Sequence, residues 1–273
     1  MKFHAEFTPQ PFTHKINHRN KLLLVGSCFT EQIGAKLSKS KFDMLENPHG
    51  IVFNPISIAT AISSYCKAHE YKENDLFFYN ELWGSWHHHT RFSSINKDIA
   101  LQQINQSQQK AIDFIKNADW ILLTLGSAFV YEREDASTTD YENVVANCHK
   151  YPTDKFNHRL LEPKEIVGQL IKMMDEVRAM NANAKFIFTI SPVRHLREGF
   201  VENNRSKAAL IHAVHSIISE KVFYFPAYEL VIDDLRDYRF YAEDMVHPNY
   251  AATNYVWEKF MATCIDESTQ KLM

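Results

Sequence analysis

Two short segments near opposite ends of the sequence carry residues whose types and spacing suit acyl transfer. Near the start, Gly26-Ser27-Cys28-Phe29 follows the apolar run Lys21–Val25, so a serine stands where a strand gives way to a helix. A hydroxyl placed there can face a site while its own N–H points the same way; capping the helix is the alternative role for Ser27. Near the end, Asp244-Met245-Val246-His247-Pro248-Asn249 sets a carboxylate and an imidazole three residues apart. Asp244 can then reach His247 across one turn of chain, fix its tautomer and stabilise its charged form. A capping Asp and an ordinary loop His is the plainer alternative. A hydroxyl, an imidazole and a carboxylate brought together would make a nucleophile, a general base and an orienting acid.

Other chemistry-bearing residues compete with this set. Cys28 adjoins Ser27 and, if strand alternation persists, points the opposite way into the core. A thiol paired with an imidazole from another segment, such as Cys148 with His247, is a rival nucleophile. Cys66 and Cys264 read as buried free thiols, and no two cysteines have the spacing of a metal or redox motif. His87 and His89 would share a strand face, giving two of the three or four ligands that zinc needs. Their setting, WGSWHHHTRF, favours a hairpin lid with His89 lining a pocket, so no metal is expected. Arg194, after the strand ending at Ile190 and beside His195, suits a carboxylate or phosphate on a substrate. GxGxxG after a strand, GxxxxGK[ST] and GxSxG are all missing, so no nucleotide cofactor and no α/β-hydrolase elbow are expected.

The elements that must position these residues alternate along the chain. Short apolar runs at 21–25, 42–45, 120–125, 185–190 and 222–225 predict buried strands. Helical periodicity or capping signals predict helices over 30–38, 55–68, 98–117, 163–180, 206–219, 227–234 and 250–264. Five such strands separated by helices predict an α/β chain with a parallel sheet covered on both faces. Ligands of such sheets bind outside the carboxyl ends of the strands, which is where Ser27, Arg194 and the stretch after Leu125 fall. Two stretches depart from the alternation: an aromatic hairpin inserted near 71–96, and a long irregular flap at 129–161.

Composition bounds what remains. With 273 residues and no linker, repeat or low-complexity tract, residues 1–273 read as a single domain with those two insertions. A formal charge of -3 carries no basic excess, so neither nucleic acid nor an anionic membrane is expected as a partner. The longest apolar stretches are far short of a membrane span, and the N-terminus lacks a signal-peptide core, so a soluble cytoplasmic protein is expected. Seven glycines is a sparing use, and Gly26, Gly50 and Gly126 all fall at or after apolar segments.

GSCF followed by Thr resembles the signature of the GSCFA family, which belongs to the SGNH (GDSL-like) hydrolase superfamily. GIVFNP at 50–55, NCHKYP at 147–152, ISPVRH at 190–195, ENNRSKAAL at 202–210 and LRDYRFYAEDMVHPN at 235–249 resemble it too. The resemblance implies a three-layer α/β/α sandwich with a five-stranded, flavodoxin-like parallel sheet. It implies Ser27 as nucleophile, His247 as base and Asp244 as orienting acid, with an oxyanion hole from the N–H groups of Ser27 and Gly50 and a third-block Asn. The third element departs from the pattern: Gly126-Ser127-Ala128 has no Asn, leaving Ser127, Asn54 or Asn147 as substitutes. The implied activity is hydrolysis of a small-molecule or carbohydrate acyl ester. Transfer to a sugar or other hydroxyl, and a non-catalytic ligand-binding protein, are the alternatives.

Overall fold

The computed structural model describes residues 5–134 and 141–273. In chain order its principal elements are β1 Lys21–Gly26, α1 Cys28–Lys39, β2 Asp43–Glu46, α2 Pro55–Cys66, β3 Phe77–Tyr79 and β4 Leu82–Gly84. They continue with α3 Lys97–Ile115, β5 Trp120–Leu125, β6 Phe129–Arg133, β7 Phe156–Leu160, α4 Pro163–Met180 and β8 Lys185–Ile190. The chain closes with α5 Gly199–His215, β9 Val222–Tyr224, α6 Ala227–Glu229, α7 Tyr250–Cys264 and α8 Glu267–Gln270.

Five strands pair in parallel in the order β2-β1-β5-β8-β9. Side-chain alternation divides β1 between two apolar layers: Leu23 and Val25 join one, Leu22 and Leu24 the other. The first layer also takes Ile62 from α2, Ile112 from α3, Leu170 from α4 and Leu210 from α5. The second takes Ile33 and Leu37 from α1 and Val256 and Phe260 from α7. The result is the three-layer α/β/α sandwich, with the apolar runs of the central strands β1, β5 and β8 explained by burial on both faces.

Three expectations need correction. Helix α1 begins at Cys28, two residues earlier than the apolar pattern predicts, because Ser27 caps it. Helix α5 starts at Gly199 rather than near 206: its first turn exposes Phe200 and Val201, so the apolar periodicity that marks a helix is missing there. The strand expected to carry His87 and His89 in the inserted hairpin ends at Gly84, where Ser85 Oγ accepts the His87 N–H at 3.3 Å and bonds the His88 ring at 3.0 Å. His87 and His89 therefore do not share a strand face. The stretch 129–161 contains an antiparallel hairpin, β6 with β7, while 135–140 of that expected flap lie outside the described residues.

Candidate active site

The pair from the end of the chain forms. Asp244 Oδ2 lies 2.7 Å from His247 Nδ1, and Oδ1 accepts the N–H groups of Val246 at 2.9 Å and His247 at 3.0 Å. Those backbone N–H groups first, and then the imidazole, hold the Asp244 carboxyl down at about 2, so it stays ionised in ordinary buffers. With a carboxylate at Nδ1, the neutral ring carries its proton there and keeps the Nε2 lone pair as a base. Both side chains are about half exposed, at 43% for His247 and 50% for Asp244. The loop is fixed from two sides, by the Ala242 N–H to the His247 carbonyl at 2.8 Å and the Arg194 N–H to the Val246 carbonyl at 3.1 Å.

Helix α7 follows this loop, capped by Asn249 through the Ala252 N–H at 3.1 Å. It packs on α1: Thr253 Oγ1 donates to Gln32 at 2.8 Å, and Lys36 bonds Asn254. Cys28 and Val246, both partly buried, rest against the same apolar layer. The two segments that the sequence separates by more than 200 residues are thus joined through one helix pair.

Ser27 sits differently from the expectation. It is 3% exposed, its hydroxyl accepts the Phe29 N–H at 3.3 Å, and its own N–H donates to the Thr124 carbonyl at 3.2 Å. The serine is the N-cap, and its N–H is committed to β5. Strand alternation stops at Gly26, where a side-chain carbon would stand 2.5 Å from the Thr124 carbonyl oxygen. Cys28, expected in the core, is instead the first helical residue and partly exposed.

Most of the expected oxyanion residues are also engaged elsewhere. The Gly50 N–H closes a turn onto the Asn47 carbonyl at 2.7 Å, at φ +74°, so it is not available to an acyl oxygen. Asn54 caps α2 through the Ser57 N–H at 2.8 Å, and Asn147 accepts the His149 N–H at 2.7 Å. Ser127 Oγ accepts the Phe129 N–H at 3.1 Å and lies 3.2 Å from Ser206 Oγ. His89 caps a short turn by accepting the Arg91 N–H at 3.2 Å. Burial pushes the rival Cys148 thiol up to about 11.

Two further side chains, His195 and Lys207, lie against the loops that leave β5 and β8. His195 Nε2 is buried without a partner, and a side-chain carbon added at Gly126 would stand 3.1 Å from it. Burial, then the nearby Lys207 and His247 charges, take this imidazole down to about 3, so it is neutral in use. Lys207, 1% exposed, donates to the carbonyls of Gly126 at 2.6 Å and Ser191 at 2.7 Å, tying together the loops that leave β5 and β8. Burial lowers its ammonium to about 7. The sequence offers a signal for His195, its place after a strand, but none for a lysine inside a helix.

Arg194 stacks its guanidinium on Tyr241 at 4.0 Å and Tyr238 at 4.9 Å, and bonds the Met245 carbonyl at 3.4 Å. With Arg236, Asp233 and Asp237 these residues line a cavity of about 260 Å³ beside the His247 loop. On the other side, the inserted hairpin is braced against the loop after β2. His49 bonds Tyr65 at 2.7 Å and Tyr71 at 3.0 Å, and its ring stacks on His88 at 4.1 Å. Among the described residues no group of three His, Cys, Asp or Glu is set to hold a metal ion. No helix among them is long and apolar enough to cross a membrane.

A model of the GSCFA family matches residues 21–260. Comparison with curated proteins by sequence gives no match. Among solved structures the chain is similar to a carbohydrate esterase family 3 protein from Talaromyces cellulolyticus, at 13% identity and TM-score 0.41, covering 88% of this chain and 94% of that one. A family 3 carbohydrate esterase from Clostridium thermocellum is similar at 10% identity and TM-score 0.41, covering 93% and 96%. An acetyl xylan esterase from Butyrivibrio proteoclasticus is similar at 12% identity and TM-score 0.43, covering 89% and 63%.

Proposed function

The chain belongs to the GSCFA family, and from that premise we propose that it is an SGNH-type hydrolase cleaving a small-molecule or carbohydrate acyl ester through an acyl-enzyme. The observation that carries this reading is the 2.7 Å contact between Asp244 and His247, whose Nε2 is left as a base in a half-exposed loop at the carboxyl edge of the sheet. His247 takes the proton of a nucleophile on the Gly26–Cys28 turn, passes it to the departing alcohol, and then activates water. Asp244 orients the imidazole and stabilises its charged form.

The developing oxyanion needs donors that the fold has not already used. The Phe29 and Thr30 N–H groups already bond Ser27, so the first turn of α1 offers the Cys28 N–H and the positive end of its dipole. His195 Nε2 stands in for the missing third-block Asn, as a neutral donor in the tautomer that protonates this nitrogen. The cavity lined by Arg194, Tyr238 and Tyr241 takes part of the substrate, its stacked guanidinium facing a polar or anionic group.

Transfer to a hydroxyl acceptor is a second reading. It is favoured by a groove of about 320 Å³ on the inserted hairpin, lined by Phe77, Tyr79, His149 and Lys150 among others. Hydrolysis of 4-nitrophenyl acetate and of acetylated sugars by the protein and its His247→Ala variant tests the main reading. Turnover that is lost in the variant supports it; equal turnover in both rejects it. Faster release on adding sugar acceptors, with acetylated sugar as product, marks transfer instead.

A further inference from the structure

Resting on the reading above, we infer that the attacking atom is Cys28 Sγ and that Ser27 is a positioning residue. The two neighbours have opposite surroundings. Ser27 is 3% exposed, and both its hydroxyl and its N–H are already bonded, to the Phe29 N–H and the Thr124 carbonyl. To attack, it would have to give up the cap of a twelve-residue helix.

Cys28 is the first residue of α1 and is partly exposed. As the first helical residue its N–H has no acceptor within the helix, so it can hold the oxygen of an acyl group attacked by its own sulfur. The Ser27 N–H cannot do the same for Ser27. The helix N-terminus also favours the negative charge that builds on sulfur during attack and departure. Cys28 packs on the same apolar layer as Val246, the residue before His247. His195 Nε2 is buried, unpartnered and set against Gly126, which directly follows β5, the strand paired with β1.

Burial raises the Cys28 thiol above its ordinary value, with Glu31 adding to the rise, while the N–H groups of Phe29 and Cys28 and the Lys207 charge oppose it. The resting group is therefore a neutral thiol, and it needs a base at the moment of attack. His247 Nε2 takes the S–H proton as sulfur bonds the acyl carbon. The C–O bond to the alcohol then breaks, and the alcohol leaves with that proton. Water, deprotonated by His247, adds to the thioester; the C–S bond breaks and sulfur recovers the proton. No oxidant or reductant is needed, and the products are a carboxylic acid and an alcohol.

Acid-quenched incubations with 4-nitrophenyl acetate, analysed by peptide fragmentation, read the site directly. One acetyl group is expected on Cys28, removed by neutral hydroxylamine as thioesters are. Cys28→Ala should lose the adduct and turnover at least a hundredfold. Cys28→Ser should trap an adduct that resists neutral hydroxylamine. Ser27→Ala should keep the adduct while melting lower. An acetyl group on Ser27, with turnover surviving in Cys28→Ala, overturns the thiol assignment and leaves the hydrolase reading standing. Absence of any adduct and of any His247-dependent turnover overturns both.

Discussion

Lys207 Nζ donates to the carbonyl of Gly126 at 2.6 Å from a site with 1% exposure, so an amine is buried under the loop that adjoins the candidate oxyanion donor. Its pKa falls from the ordinary 10.5 to about 7 through burial. Between those values the unfolded chain binds a proton that the folded one does not, so stability rises with pH. Relative to Lys207→Met, the protein should therefore gain about 1.4 kcal/mol per pH unit between pH 7 and 9. Urea unfolding of both chains at each pH measures this. A constant difference would mean that the amine stays charged.

Removing a donor aimed at a transition state lowers turnover and leaves ground-state binding nearly intact. His195→Ala should lower kcat about 10²–10³-fold with little change in KM. Steady-state kinetics on a short acyl ester checks this. A loss confined to KM would make His195 a binding residue and no part of the oxyanion site.

Asp244→Asn preserves shape but places an amide where His247 Nδ1 now meets a carboxylate. The wrong tautomer is then favoured, and kcat should drop on the order of 10³–10⁴-fold. Both side chains are about half exposed, so the melting temperature should shift little. Kinetics and a thermal melt on the same sample separate a lost tautomer from a lost loop.

Much of this arrangement was legible in the sequence, and the failures share a cause. The strands at 21–25, 120–125 and 185–190 announce themselves because parallel strands are apolar on both faces. The Asp244–His247 contact is local, closed within three residues, so the spacing permits it and the family resemblance points to it. What spacing does not reveal is where alternation ends. One residue separates a strand pointing Ser27 at the site from a helix that uses it as a cap, and Gly26 sets that limit by its close approach to Thr124. Gly50 and Asn54 are engaged for a related reason: a turn and a cap use the same N–H and amide groups that a site would use. His195 is marked in the sequence by its place after a strand, but its approach to Gly126 shows only once β5 and β8 lie side by side.

His49 gives a separate test of the inserted segment. Burial lowers its imidazole from 6.5 to about 3. As pH falls below 6.5 the unfolded chain takes up a proton that the folded one refuses, so stability declines. The loss should reach about 2 kcal/mol by pH 5. His49→Phe, which keeps the stacked ring beside His88, should flatten this part of the profile. Denaturant midpoints from pH 7 to 5 measure it, and parallel declines in both chains would point to another group.

A side-chain carbon at Gly50 would stand 2.4 Å from His89 Cβ, and the His49 ring is clasped by Tyr65, Tyr71 and His88. Fastened at both points, the aromatic insertion is a standing wall and no door. On the proposed function, the ester would then reach the site past the stacked Arg194 and its two tyrosines, where Tyr238 stands 58% exposed.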